Sequence, residues 1–524
     1  MRIAVAATKQ DLPCTTPFQN GCPAGVLPPA MNGFRGDFST RRAPQTCSFK
    51  TTMWPTRYTP CGHMLRGKPA AVLIAIGLAV APQSVTYAQS PSNPLIDGLW
   101  LAGGSGQLVE IKQNILQIYE ITDASCIPAG NAKRRPGAKP GEVVFEGRQI
   151  GTLRVTAADG SDSLWLHHRG VSSVALQRAP GLPETCGHKT PDTPKSNYEV
   201  FWRTFYEHYP FSARRQVDWS AVDKKLRPQI NESTSPAELF GVFQQMIEPL
   251  FDAHTGIDAK TIHRSFHGRR ADAETQQGAR AGRIREIIQQ KYVRGNLQNY
   301  CHLLGLGSKP QSPQSLLHFG FVGDSIGYLR IDAFPPGCDG ELDKIFREAA
   351  ELKGLIIDER LNVDGSNAFA FSLASRLTNH DYLAYSIATR SNAPDNGHRT
   401  PPQPVMVHAS ARPGFSGEVA LLIGPDSVSA AGVFAMALFG RKPRITRVGD
   451  NTQGVFSDML ERTLPNGWRF SLPNGTYLAE DGRAFDVVGV PPDVRVPVFP
   501  DQDLRDGRDS ALEKAIDLLG QTRD

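Results

Sequence analysis

Between residues 98 and 180, apolar side chains come in short runs that alternate with polar ones. Leu108-Val-Glu-Ile-Lys, Ile115-Leu-Gln-Ile-Tyr, Gly151-Thr-Leu-Arg-Val and Ser163-Leu-Trp-Leu are set apart by Gly, Asp and Pro. Short period-two runs bounded by turn residues predict strands, and their density predicts a small β-rich domain, a sheet or barrel. The 128–142 stretch, rich in Pro, Gly, Lys and Arg, reads as a long loop. Residues 187–196 (GHKTPDTPKS) read as a polar linker. Beyond them the period lengthens. Tyr198, Phe201, Trp202, Phe205 and Tyr206 recur at helical spacing, and Ser235-Pro236-Ala237-Glu238 is a helix-start signature. Leu239, Val242, Phe243, Met246, Ile247 and Leu250 then share one face. The pattern predicts a helical segment over 196–316, with its aromatic stripe packed in a core.

From 317 to 500 strand and helix patterns alternate. Ile326–Ile331, Gly354–Asp358 and Val419–Ile423 read as strands, the last two as buried apolar runs. Glu341–Leu352, Ala368–Leu377 and Ser427–Leu438 read as helices, and a C-terminal helix is expected over 501–524. That order predicts an α/β domain. In such sheets chemistry gathers beyond the carboxyl ends of the strands, where Asp358-Glu-Arg-Leu-Asn and Gly424-Pro-Asp-Ser-Val-Ser429 both fall.

Charge changes the picture at the front of the chain. The 524 residues carry 57 Lys+Arg against 52 Asp+Glu, a net +5. Residues 1–88 hold nine basic and two acidic residues, so the remainder has a net charge of −2. The basic excess is therefore no footprint for nucleic acid. Residues 64–88 have the layout of a secretory signal peptide: Arg66 and Lys68, an apolar run from Ala70 to Ala81, and Thr86-Tyr87-Ala88 at a cleavage site. The apolar run is short for a bilayer span of about 20 residues. The expectation is an exported protein, periplasmic or extracellular, with no membrane span after signal removal. Residues 1–63 read as a disordered or untranslated extension. Of eight cysteines, Cys126, Cys186, Cys301 and Cys338 lie beyond the signal. Four cysteines in an exported chain allow three disulfide pairings, of which Cys126–Cys186 and Cys301–Cys338 are the local choice. No cysteine spacing suggests a metal site.

Ser429 is the strongest chemical candidate. It sits at a strand-to-helix junction, where its own N–H and that of Ala430 leave a helix N-terminus, a ready place for a developing oxyanion. Pattern alone also allows Ser427 or Ser429 to be only a helix cap, and His254 or Asp252 to do the same. A set of ordered motifs bears on the choice. Gly354-Leu-Ile-Ile-Asp-Glu-Arg-Leu-Asn-Val-Asp-Gly-Ser, Val419-Ala-Leu-Leu-Ile-Gly-Pro-Asp-Ser-Val-Ser-Ala-Ala, Gly449-Asp-Asn-Thr-Gln-Gly454, Asp481-Gly-Arg-Ala-Phe-Asp-Val-Val-Gly-Val-Pro-Pro-Asp493 and Phe251-Asp-Ala-His-Thr stand in the chain. Together they resemble the tricorn-like and C-terminal-processing (tail-specific) serine peptidases, and the tricorn-like branch more closely.

The resemblance covers 196–500 and implies a ClpP/crotonase-like ββα spiral as the α/β core. It also implies Ser429 as nucleophile, His254 as general base, Gly365 and Ala430 N–H groups as the oxyanion hole, and Asp486 in place of a Glu that orients the site. Asp358, Arg360, Asn362, Thr452 and Gly454 would support that site. It implies a peptide or protein substrate and no cofactor or metal. This sequence departs from the pattern at Val455, where the processing branch has a Lys, at Asp364, where a glycine is expected, and at Gly432, where a Glu often stands. The reading is an exported serine peptidase working through an acyl-enzyme. The alternative is a catalytically impaired relative that binds peptides or partners in the cell envelope.

Overall fold

The computed structural model describes residues 96–136, 139–158, 162–167, 173–268, 279–303, 314–362, 364–390 and 399–521, within the unit Tyr87–Asp524. The extension, the signal-like segment, Cys14, Cys22, Cys47, Cys61, His168, Arg269 and Arg270 lie outside the described residues.

The alternating runs close into an eight-stranded antiparallel barrel. Its strands are β1 (Gly98–Ala102), β2 (Gln107–Lys112), β3 (Ile115–Thr122), β4 (Ser125–Arg135), β5 (Glu142–Gly147), β6 (Gly151–Ala157), β7 (Ser163–His167) and β8 (Ser173–Arg178). Trp100, Val109, Leu116, Phe145, Leu153, Leu166 and Leu176 point inward and fill it. The expected 128–142 loop is mostly strand: β4 runs to Arg135, because a register shift at Ile118/Tyr119 leaves Ala129 as the extra residue after Pro128 and lets pairing resume at Gly130.

Three helices follow: α1 (Pro194–His208), α2 (Trp219–Leu226) and α3 (Pro236–Ile247). Ser235 and Glu238 form a capping box at the start of α3. The segment 196–316 is not helical throughout. It also holds β9 (Gly256–Ala259), β10 (Arg264–His267), α4 (Ala279–Ile287) and β11 (Arg294–Leu303). The short runs of β9, β10 and β11 do not sustain a helical period; β10 pairs with β9, β11 with β12, and β9 also with the distant β20.

The rest of the chain supplies β12 (Gln314–Val322), β13 (Ile326–Ile331), α5 (Asp339–Ala349), β14 (Gly354–Asp358) and α6 (Asn367–Ser375). Then come β15 (Tyr382–Thr389), β16 (Gln403–Val407), β17 (Glu418–Ile423), α7 (Ala430–Ala437) and β18 (Thr446–Gly449). The last elements are β19 (Met459–Thr463), β20 (Arg469–Pro473), β21 (Gly475–Leu478), β22 (Val494–Arg495), α8 (Asp501–Asp506) and α9 (Ser510–Gln521). The expected single C-terminal helix is broken at Gly507, which adopts a left-handed φ of 61°.

A seven-stranded sheet, ordered β11-β12-β13-β14-β17-β18-β22, is parallel from β13 onward. Successive side chains on a strand face opposite ways. Leu355, Ile357, Leu421 and Ile423 therefore pack against α5, α6 and α7. Ile356, Ala420 and Leu422 pack against α4 and α9. Burial on both faces is why these strands read as continuous apolar runs. A four-stranded sheet, β10-β9-β20-β19, packs on α1 and α3, and a three-stranded sheet is ordered β16-β15-β21. Disulfides join Cys126 to Cys186 and Cys301 to Cys338. Among the described residues no helix is long and apolar enough to cross a membrane.

Candidate active site

Parallel strand β17 ends at Ile423, and the turn after it is braced from all sides. Ser427 Oγ donates to the Glu359 carbonyl at 3.0 Å and accepts from Gly424 N–H at 3.1 Å. Val428 N–H donates to the Asn362 carbonyl, and Ser429 N–H to the Val455 carbonyl at 2.7 Å. These bonds hold Ser429 at φ 55°, ψ −115°, a region L-residues rarely adopt. Such strain costs about 1–3 kcal/mol and persists only where the surroundings enforce it. The Ser429 side chain makes no capping hydrogen bond to α7.

Its hydroxyl meets His254 instead. His254 Nε2 lies 3.3 Å from Ser429 Oγ across 175 residues of sequence. Phe251 turns the chain with a left-handed φ of 45°. Asp252 then holds the turn: its Oδ1 accepts from His254 N–H at 2.9 Å, its Oδ2 accepts from the Tyr209 hydroxyl at 3.0 Å, and its carbonyl accepts from Thr255 Oγ1. His254 is buried, and burial pushes its pKa below the ordinary imidazole value against the pull of Asp252, the Ser457 carbonyl, Asp364 and Asp458. A ring so placed is neutral at pH 7, with the nearby carboxylates ready to favour the imidazolium once it takes a proton. His254 Nδ1 has no hydrogen-bond partner among the described residues.

Ala430 N–H is the first of α7 and points free of intrahelical bonding, as helix N-termini do. Gly365 lies against Phe334, bridged by Phe334 N–H to the Asp364 carbonyl and Ser366 N–H to the Phe334 carbonyl. Its φ of 142° and the 2.5 Å that would separate a Cβ from Phe334 N require glycine. Gly365 N–H donates to Asp364 Oδ1 at 2.7 Å.

The supporting residues lie behind the turn. Arg360 makes a bidentate pair with Asp358 and a second with Asp509, all buried, and Tyr328 donates to Asp358 Oδ2. Burial alone would raise the Asp358 pKa, but Arg360 and these hydrogen bonds hold it below the usual carboxylate range. Thr452 Oγ1 accepts from Val490 N–H, and the Gly454 carbonyl accepts from Val487 N–H. Gly454 has φ 77°, and a Cβ there would meet Gly489 N at 2.5 Å. This double strap places the Val455 carbonyl that Ser429 bonds.

Asp486 is set apart from the pair. Its Oδ2 accepts from Tyr477 N–H, its Oδ1 has no hydrogen-bond partner among the described residues, and burial, with Asp252 adding, raises its pKa to about 7. Among the described residues it makes no hydrogen bond to His254 or Ser429. Sequence reasoning missed Tyr209, Ser457 and Asp458. Asp458 lies in the segment after the Gly454 turn, and Asn367 donates to it at 3.2 Å. Their only signal was proximity to motif residues.

His167 is half-buried between Thr156 Oγ1 and Ser173 Oγ. Arginines of the 279–303 stretch are taken up by carboxylates: Arg280 pairs with Asp501, Arg283 with Glu286 and Arg285 with Asp332. Arg264 lies over the Phe240 ring. Among the described residues no group of His, Cys, Asp and Glu is arranged to hold a metal ion.

Ser429, His254, Asp364 and Gly365 open onto one cavity of about 2140 Å³. Its walls come from the barrel as well as from the α/β core. The pocket of a small molecule is about 300–1,000 Å³, so this space suits a longer ligand.

Residues 325–496 match the model of Peptidase family S41, and residues 191–248 match that of the Tricorn protease C1 domain. No curated protein matches the chain. Among solved structures the chain is similar to a protein of Parabacteroides merdae assigned as a peptidase. They share 25% identity over 63% of this chain and 97% of that one, with a TM-score of 0.52. It is also similar to the photosystem II D1 C-terminal processing protease, at 14% identity over 63% of this chain and 98% of that chain, with a TM-score of 0.38. Similarity to the tricorn protease is 14% over 79% of this chain and 46% of that chain, with a TM-score of 0.39.

Proposed function

We propose that the chain is a serine-type peptidase whose catalytic domain is similar to that of family S41, and that Ser429 and His254 carry its chemistry. The observation that carries the reading is the 3.3 Å approach of His254 Nε2 to the hydroxyl of a backbone-strained serine at a helix N-terminus. His254 takes the Ser429 proton as Oγ attacks the scissile carbonyl. The N–H groups of Ala430 and Gly365 receive the oxyanion, and the imidazolium returns its proton to the leaving amine. Water then repeats the sequence on the acyl-enzyme. The substrate is a peptide or protein chain.

We also assign the α/β core to the ClpP/crotonase-like spiral that the resemblance implies, supported by the parallel run β13-β14-β17-β18. Export is part of the same reading. The signal-like segment ending at Ala88 supports it, as do two disulfides, which persist in oxidising compartments. The N-terminal sequence of the protein recovered outside the cytoplasm tests that part, and a start other than residue 89 counts against it.

The experiment for the chemistry is labelling by a fluorophosphonate together with turnover of a peptide library. The wild-type protein labels stoichiometrically at Ser429, Ser429→Ala does not label, and His254→Ala loses labelling and turnover by at least about a thousandfold. Retained turnover in either variant sinks the assignment. Because burial depresses the His254 pKa, the acidic limb of kcat/KM falls at a pH below the ordinary imidazole value near 6.5.

A further inference from the structure

Five tryptophans fall among the described residues, and four of them are buried with the indole N–H satisfied. Trp100 donates to the Ile96 carbonyl, Trp202 to the Trp219 carbonyl, Trp219 to Ser212 Oγ and Trp468 to Thr261 Oγ1. Trp165 differs. It is half-buried, and among the described residues its N–H has no acceptor and its ring has no aromatic or cationic neighbour. In β7 its neighbours Leu164 and Leu166 point into the barrel, so strand alternation puts Trp165 on the outside. There it pairs across to Ala175 on one side and Thr156 on the other.

That outer face is a wall of the cavity holding Ser429 and His254. Leu101, Trp165, His167, Ser173, Ala175 and Gln177 line it from β1, β7 and β8. Leu101 stands opposite Gln177, and Ser173 opposite His167. On β1, β7 and β8 this face carries no ionised side chain: burial, with Arg154 adding, lowers the His167 pKa, and the ring is held by Thr156 and Ser173, while Arg154, opposite His167 on β6, pairs with Glu142. Small residues flank the one large ring that lines the cavity.

We propose that this face is the distal part of the substrate site, binding an extended, uncharged stretch of the peptide remote from the scissile bond. The ring of Trp165 packs on an apolar side chain, and its N–H donates to a peptide carbonyl. A Trp is suited to this double role, since it joins a large apolar body to a polar tip. The inference rests on the reading of Ser429 and His254 as the reacting pair, and it gives the barrel a function: it selects peptides long enough to reach from the pair to β7. Interactions with remote parts of a substrate are a recognised source of catalytic specificity.

Steady-state kinetics of full-length wild type, Trp165→Ala and Trp165→Phe test it, with a small activated ester and a series of neutral peptides of increasing length. Trp165→Ala raises KM, or lowers kcat/KM, by about tenfold for the long peptides and leaves ester turnover and short peptides unchanged. Trp165→Phe, which keeps a ring and removes the N–H, recovers part of that loss. Equal kinetics of wild type and Trp165→Ala on long peptides, with ester turnover intact, overturns the proposal. If wild type itself turns over neither ester nor peptide, the reading of the reacting pair fails instead. Binding then decides the face separately: in Ser429→Ala, indole fluorescence responds to a long neutral peptide, and the same titration in Ser429→Ala/Trp165→Phe shows no response. An equal response in both overturns the proposal. Unchanged thermal unfolding of the variants confirms that an outward ring was removed without loss of the barrel.

Discussion

Asp364 takes with its carboxylate the N–H of Gly365, one of the two proposed oxyanion donors, at 2.7 Å. Two effects of this side chain oppose one another. As an anion it favours the protonated form of His254, which helps once the proton has moved. As an acceptor on Gly365 N–H it competes with the developing oxyanion for the same donor. Asp364 is exposed, so its charge acts on His254 through solvent-screened space, whereas the hydrogen bond is direct. The second effect wins. Asp364→Gly is expected to label with a fluorophosphonate about tenfold faster than wild type, the effect of freeing one oxyanion donor reduced by the ease of rotating an exposed side chain. Asp364→Asn keeps the acceptor and loses the charge, so it stays near the wild-type rate. A rate constant for Asp364→Gly equal to or below that of wild type refutes the competition.

The element behind the site is the β14 turn, and it shows what a sequence can and cannot carry. Asp358, Arg360 and Asn362 were legible because they lie within five residues of a buried apolar run, in an order with a recognisable pattern. Their partner was not. Asp509 meets Arg360 through two 2.8 Å hydrogen bonds from 149 residues away, and its Oδ1 also accepts from Leu512 N–H at the start of α9. No periodicity announces a contact of that separation. The same reason explains the missed strand β9, which pairs with β20 more than 200 residues away and in turn carries β10, and the missed Tyr209 behind Asp252. The proposed pair was suggested only by motif order, since nothing in the spacing of His254 and Ser429 brings them together. The Arg360 guanidinium lies under Phe499 with both carboxylates around it, wholly buried. Removing one partner of such a pair leaves an uncompensated buried charge. Asp509→Ala is therefore expected to destabilise the protein by about 3–5 kcal/mol, more than Asp509→Asn, which retains acceptor and shape. Urea unfolding measures it. A loss below about 1 kcal/mol in Asp509→Ala means that the clamp does not hold α9 to the sheet.

At the scale of the whole molecule, polar contacts join the barrel to the rest of the chain beside the apolar packing of Ile127. Glu120 accepts from Thr463 N–H, Arg462 donates to the Ser105 carbonyl, and Glu207 of α1 accepts from Asp123 N–H. His208 packs so closely that a Cβ on Gly106 would lie 2.2 Å from its Nε2. Two adjacent residues at this seat titrate in opposite senses. Burial, with Arg462 and Arg390, lowers the His208 pKa to about 3. Below the ordinary value near 6.5 the unfolded chain gains a proton that the folded one refuses, so the His208 contribution is complete above 6.5 and is lost as pH falls. Burial raises the Glu207 pKa to about 7. The folded chain keeps that proton where the unfolded one has shed it, so the Glu207 contribution is present in acid and is lost as pH rises toward 7. Each effect is worth about 2 kcal/mol between pH 7 and pH 5, and in the wild type they nearly cancel. Single substitutions should unmask them. Glu207→Gln leaves His208 alone, and its unfolding free energy falls from pH 7 to pH 5. His208→Gln leaves Glu207 alone, and its unfolding free energy rises over the same interval. Denaturant unfolding at the two pH values, for wild type and both variants, reads the slopes directly. Slopes of the same sign in the two variants would mean that these side chains do not titrate against one another where the barrel meets α1.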